Sequence, residues 1–358
     1  MRTYRIILLV TAFLVITGIL MVYSSSSIYS KEKFGNPYYF FFRHLTWVFL
    51  GVLFFFLGYQ VKWEIWRKYN KFFLFLSLSL LLLTLSPLGW EAGGARRWLR
   101  VGKVTLQPSE LVKLGVILWL SDFLSRKWKE LKSFKEGLFP PLLVLSLLLF
   151  ILLLQPDLGT CFLIGLVSFS LFFVGGASLR HLLFLSLSSL PALYLLIVKV
   201  GYRKSRIIAF INPWKDPQGA GFQIIQSLVA LGSGGLIGKG LGEGRQKLFY
   251  LPSAHNDFIF SIIGEELGFI GGVLIVIAFL ILVICGLRVA WKSQELFPSY
   301  LALGITLLIG LQAFINLGVS VGLLPPKGIT LPFISVGGTS MVVNLTMAGL
   351  LTQIARRG

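Results

Sequence analysis

The chain of 358 residues is 56% hydrophobic and only 13% charged, with a mean hydropathy of +0.83. Those values exclude a soluble domain of this size. The formal net charge of +19 would suit a nucleic-acid binder, but the charges gather between apolar runs and leave no soluble basic domain to carry such binding. The excess points instead to anionic membrane lipids and cytoplasmic loops.

The apolar runs are about 17 to 25 residues long, the length a helix needs to cross the hydrocarbon core. They predict an all-α polytopic membrane protein, one integral domain over 1–358, with about ten transmembrane helices. In chain order the spans are 6–23, 45–61, 72–89, 108–125, 138–154, 158–179, 182–199, 258–287, 299–324 and 331–355. A large extracytoplasmic loop, about 201–257, separates the seventh from the eighth. Arg2 and Arg5 ahead of the first run give it the look of a secretory signal. With so many later spans it is expected to stay as the first helix.

The fourth span is the most polar, with Glu110, Lys113 and Asp122 inside it. Pro108 suits a first helical turn and Glu110 suits the positive helix end. Glu110 and Lys113 are three apart and can pair on one face, so a cap with an internal ion pair competes with a functional role. Ionisable groups within a span usually face a cavity or a partner. Between the fifth and sixth spans, Gln155-Pro156-Asp157 reads as a turn in which Asp157 caps the next helix. Cys161 and Cys285 lie in apolar runs without metal-ligand spacing and read as small buried hydrophobes.

Within the long loop, 221–238 is moderately apolar but rich in glycine, which predicts an interfacial or re-entrant segment. The run GSGGLIGKGLGEG at 232–244 is no phosphate loop, because Gly240 follows Lys239 where Ser or Thr is required.

Ten spans place both termini on one side. Sixteen of the 33 basic residues fall at that side; setting aside the seven of the long loop leaves ten elsewhere, which makes the termini cytoplasmic. The outward cations then need a reason. They concentrate at Arg96, Arg97, Arg100 and Lys103 after the third span, in the long loop, and at Lys327. Either a polyanionic ligand or lipid headgroups would reward them.

Asp257 closes the long loop, whose seven cations face three carboxylates. A lone acid at the end of a basic loop suits a base acting on a polyanionic substrate, and equally a helix cap. Glu265 and Glu266 follow two turns later, about 12 Å along a helix. Residues 267–287 are uncharged and long enough to cross alone, so this helix can begin outside the bilayer with all three acids near the outer interface.

Five segments together resemble the SEDS family of cell-wall polymerases, the shape, elongation, division and sporulation proteins. They are GARRWL at 94–99, QPSELVK at 107–113, QPDLG at 155–159, KLFYLPSAHNDFIFSIIGEELG at 247–268 and LPPKGITLPFISVGG at 324–338. Residues 326–335 and 251–268 are more similar to the division branch than to the elongation branch. Asn256 stands where the family more often has Thr, Ser253 where division members commonly have Glu, and Val336 where Tyr is usual.

The resemblance implies polymerisation of lipid II, an undecaprenyl-pyrophosphate-linked disaccharide pentapeptide, into β-1,4 glycan strands on the outer face of the bacterial cytoplasmic membrane, at the division septum. Asp257 matches the family's base, which would take the proton of the acceptor's 4-hydroxyl. A pyrophosphate leaving group needs charge neutralisation in place of an acid. Arg96, Arg97, Lys103, Lys113, Lys247 and Lys327 are the candidates, with Glu110 and His255 completing the substrate-binding set; no cofactor is certain, and a divalent cation, Mg or Mn, would share the task. Implied partners are a class B penicillin-binding protein, other division proteins and membrane lipids. A lipid II flippase is the competing function, with Glu110, Lys113 and Asp157 lining its path. A non-catalytic division scaffold is the third.

Overall fold

The computed structural model describes residues 2–357 except 93, 103, 199, 200, 249, 250, 253 and 254; Lys103 and Ser253 lie outside the described residues. Each predicted span falls on a helix. In order these are α1 (Thr3–Phe34), α2 (Tyr39–Gln60), a short α3 (Trp63–Lys68), α4 (Asn70–Leu83), α5 (Pro108–Lys127), α6 (Phe139–Leu154), α7 (Leu158–Val174) and α8 (Leu179–Val198). After the long loop come α11 (Ile259–Lys292), α12 (Leu296–Ser320) and α13 (Gly338–Arg357). Six helical segments are long and apolar enough to cross a membrane: α1, α2, α6 with its π-helical lead-in from Phe134, α8 from Leu179 to Leu196, α11 and α12.

Burial separates these helices into layers. α12 is buried around almost its whole circumference, as are α5 and α13. A helix enclosed on every side belongs to the middle of a bundle, where ionisable and amide side chains are shielded from lipid. α2 and α8 lie at the periphery and turn most of their apolar surface outward. α13 packs directly on α2 through small residues: a Cβ at Gly58 would lie 2.6 Å from the Thr346 carbonyl, and one at Gly349 would collide with the Phe55 carbonyl. Close backbone approach of this kind is how helices associate in a membrane.

The all-α expectation needs one correction. Residues after α4 form a small antiparallel sheet, β1 (Gly89–Ala92), β2 (Ala95–Val101) and β3 (Val104–Leu106), in that order. The third predicted span therefore ends early, at Leu83. Gly94 and Gly102 take positive φ at the two hairpin turns, a conformation open to glycine without a Cβ clash.

The long loop is also structured. It contains α9 (Gly201–Ile211) and α10 (Phe222–Ser233). At 12 residues α10 is about 18 Å long, too short to span, and it docks on its neighbours through Ser227, whose Oγ meets the Ser320 carbonyl at 2.6 Å and Ser261 Oγ at 2.5 Å. The chain after it wraps a break in α11. Gly268 has φ 70° and ψ −168°, and such a break strands N–H groups on one side and carbonyls on the other. The loop satisfies two of each. Phe269 N and Ile270 N donate to Gly235 O and Leu236 O, while Lys239 N and Gly240 N donate to Glu265 O and Glu266 O, at 2.9–3.1 Å.

Candidate active site

Asp257 lies in the turn that leads into α11, with Phe258 at the N-cap position and no side chain capping the helix. The capping role that the sequence allowed is thus not the one this carboxyl takes. Instead, the backbone around it is stitched to the segment between α12 and α13. Val336 N donates to His255 O at 3.1 Å. Ser335 Oγ donates to Asn256 O at 2.6 Å and accepts from Leu331 N at 2.8 Å. Asn316 Nδ2 donates both to Asp257 O, at 2.9 Å, and to Ile329 O, at 2.7 Å.

The backbone of Gly328 passes beneath the carboxylate, so that a Cβ there would lie 3.4 Å from Oδ2. Burial pushes the Asp257 carboxyl up, the Arg206 and Arg97 guanidinium groups pull it part of the way back, and it settles at about 6. The result is a carboxyl of near-neutral pKa within the field of two guanidinium groups.

Those cations come from separate elements. Arg97, on β2, donates from Nε to Gln155 O at 2.9 Å and from Nη2 to Pro156 O at 2.7 Å, which fixes it against the α6–α7 turn. Arg206, on α9, reaches Pro326 O at 3.4 Å. Lys327 places its ammonium 4.3 Å from the Phe162 ring centroid, a cation–π contact, and burial holds its pKa below the usual lysine value. His255 packs its ring 4.9 Å from Phe40 and 5.4 Å from Tyr29. Burial, helped by Lys33, lowers it to about 4, so it is neutral at physiological pH.

The remaining expectations are placed elsewhere. Lys113 pairs with Glu110 at 2.7 Å inside the bundle and donates to Gln312 Oε1 at 3.0 Å. Gln312 Nε2 in turn holds Thr330 O at 3.0 Å, so the pair reaches the Asp257 neighbourhood through other side chains. Lys247 is buried, and its three donors go to Glu266 Oε1, Gly242 O and Ser24 Oγ at 2.6–3.0 Å; substrate binding finds no spare donor there. Arg96 is exposed, 3.5 Å from Glu91. Asp157 caps α7 as expected, accepting from Thr160 N at 3.1 Å and Thr160 Oγ1 at 2.9 Å. No group of three His, Cys, Asp or Glu gathers among the described residues. The donor set at Asp257 is one carboxylate, a poor fit to an all-protein divalent-cation site.

Nothing in the spacing of Arg206 marks it among the loop cations; only the fold of α9 brings its charge to Asp257. Gln312 and Asn316 left a fainter trace, two amides one turn apart within an apolar run.

A family model for cell cycle proteins, covering FtsW, RodA and SpoVE, matches residues 4–358. A Geobacter metallireducens protein, named probable peptidoglycan glycosyltransferase FtsW, is 45% identical over 353 residues, 98% of this chain and 94% of the relative. Stage V sporulation protein E of Bacillus subtilis is 42% identical, with 98% and 96% covered. Among solved structures, a chain of a peptidoglycan synthase complex that coordinates polymerization and crosslinking superimposes with a TM-score of 0.80 at 30% identity, over 98% of this chain and 97% of that one. RodA of Thermus thermophilus gives 0.70 at 28% identity, with 98% and 95% covered.

Proposed function

The chain belongs to the cell cycle protein family of FtsW, RodA and SpoVE and is a peptidoglycan glycosyltransferase, and from that premise we propose that it polymerises lipid II with Asp257 as general base. One observation carries the assignment: a carboxyl raised to about 6 stands uncapped beside Arg97 and Arg206.

A sugar hydroxyl is a weak nucleophile until its proton is taken in the transition state. Asp257 accepts the proton of the acceptor's 4-hydroxyl while that oxygen attacks the donor's anomeric carbon. The bond from that carbon to the pyrophosphate oxygen breaks, and its electron pair leaves with undecaprenyl pyrophosphate. Attack opposite the leaving group turns an α link into a β-1,4 link, an inversion in one step. Glycosidases of the inverting type need a second carboxyl to protonate a leaving alcohol. Pyrophosphate leaves as an anion, so cations replace that acid; Arg97 and Arg206, whose charges act on Asp257, and Lys327, next to Gly328, are the candidates. With a pKa of about 6 the base is ionised roughly 10:1 at pH 7.

In this reading about ten helices span the cytoplasmic membrane with both termini inside, and 201–257 lies outside, at the septum. A class B penicillin-binding protein cross-links the product, in line with the similarity to a chain of a synthase complex. The flippase reading loses support because Asp157, Glu110 and Lys113 are all engaged in local contacts.

The test uses liposomes holding the protein, its penicillin-binding partner and labelled lipid II, with products resolved by gel. Wild type should give long strands and Asp257→Asn none, with lipid II binding retained. A base works only when unprotonated, so the wild-type rate should climb with pH through about 6 and then level. Equal strand yield from Asp257→Asn would remove Asp257 from the chemistry.

A further inference from the structure

Resting on Asp257 as the base, we infer that Asn316 and Gln312 of α12 are positioning residues that set the spacing between the base and the cation-bearing segment 326–330. The two side chains are one turn apart, so they share a face of α12, and both are almost fully buried. Asn316 carries two amide hydrogens, and both are used, one on Asp257 O and one on Ile329 O. Because both partners are carbonyls, only the nitrogen can face them. One planar group thus fixes the Asp257 backbone against the segment that contains Gly328 and Lys327. Gln312 repeats the device one turn away, with Nε2 on Thr330 O and Oε1 held by Lys113. Glu110 in turn holds Lys113, so the buried ion pair orients an amide.

Single-step inversion makes this spacing matter. The base and the groups that receive the leaving pyrophosphate must face opposite sides of one anomeric carbon, and misplacement by about 1 Å can cost about 100-fold in rate. α12 is enclosed by the bundle, so it is a rigid rail from which to hold both.

The experiment compares Asn316→Ser, which keeps one donor, and Asn316→Leu, which keeps the branched four-heavy-atom side chain and removes both donors, in the full complex in liposomes. Folding is checked by lipid II binding, and kcat, KM and the pH profile are measured. Expected for Asn316→Leu is a fall of about 100-fold in kcat with KM within about three-fold, and a smaller fall for Asn316→Ser. The loosened carboxylate gains water, so the acid limb of the profile should move to lower pH. Arg206 on α9 and Arg97 on β2, the charged groups that act on Asp257, are unchanged in both variants, as are Lys327 and His255, so a moved limb reports the seat of Asp257. If Asn316→Leu does not accumulate, Asn316→Ser decides alone. An acid limb unmoved from wild type overturns the inference, whatever happens to kcat. Strand synthesis by Asp257→Asn would instead overturn the base assignment, so the two failures are distinguishable.

Discussion

Burial raises the Asp257 carboxyl from the usual 3.8 to about 6, so between those values the folded chain binds a proton that the unfolded chain has already lost. Stability therefore falls as pH rises through that window, and the loss is complete above about 6. Asn at this position cannot ionise. Asp257→Asn should accordingly melt higher than wild type at pH 7.5 in detergent, with the gap closing near pH 4, while strand synthesis is lost at both. A variant that melts lower at pH 7.5 would mean that the charge is stabilised where it sits. Much of this residue was legible in the sequence, since a lone acid at the end of a basic loop is a local feature. Its partner Arg206 was not, because a helix of its own carries that side chain to the site. Lys247 misled for the same reason: as a letter it is a loop cation, and only in the fold does it meet Glu266.

At the scale of elements, the decisive feature is the join between α11 and the loop that follows α10. Glu266 is fully enclosed and accepts from Ser24 of α1, from Gly242 N and from Lys247, at 2.6–3.1 Å. Glu265 beside it accepts from Lys239 and from the backbone of Arg245 and Gln246, at 2.9–3.1 Å. Breaking one partner of a buried pair leaves an uncompensated charge, which costs about 3–5 kcal/mol, whereas replacing both with apolar groups is often near neutral. Lys247→Met should lower the melting temperature markedly, and Lys247→Met with Glu266→Leu should recover part of the loss. A double variant whose loss equals the sum of the losses of Lys247→Met and Glu266→Leu alone would show the pair to be uncoupled. The glycines of 232–244 gain a reason here as well. A Cβ at Gly234 or Gly238 would collide with carbonyls of α11, so the run serves close approach of two backbones. The sequence could exclude a phosphate loop, but this purpose was invisible in it.

Across the whole molecule, guanidinium groups from β2 and α9 act on one acid although they are more than a hundred residues apart in the chain, and the segment that carries Lys327 lies against the same acid through Gly328. If their task is to hold the pyrophosphate, Arg206→Ala and Lys327→Ala should each reduce kcat/KM by about ten-fold or more, the scale of a charge-assisted contact. The gap to wild type should narrow with added salt, which screens the contact that the variants lack. Full activity for both at low substrate would leave the cations to the lipid surface.

Composition and the run lengths of apolar residues determined the membrane class, the position of every long helix and the acid at the loop's end, because hydropathy summed over a span and the charge of a short loop are local properties. The resemblance of five segments added the chemistry. What the sequence could not decide was which polar groups meet. That depends on the rotation and depth of each helix in the bundle, which are set by packing against neighbours distant in the chain. Only the folded protein brings Asn316 to Asp257 and Ile329, gives Lys247 to Glu266 and sets Arg206 where its charge acts on Asp257.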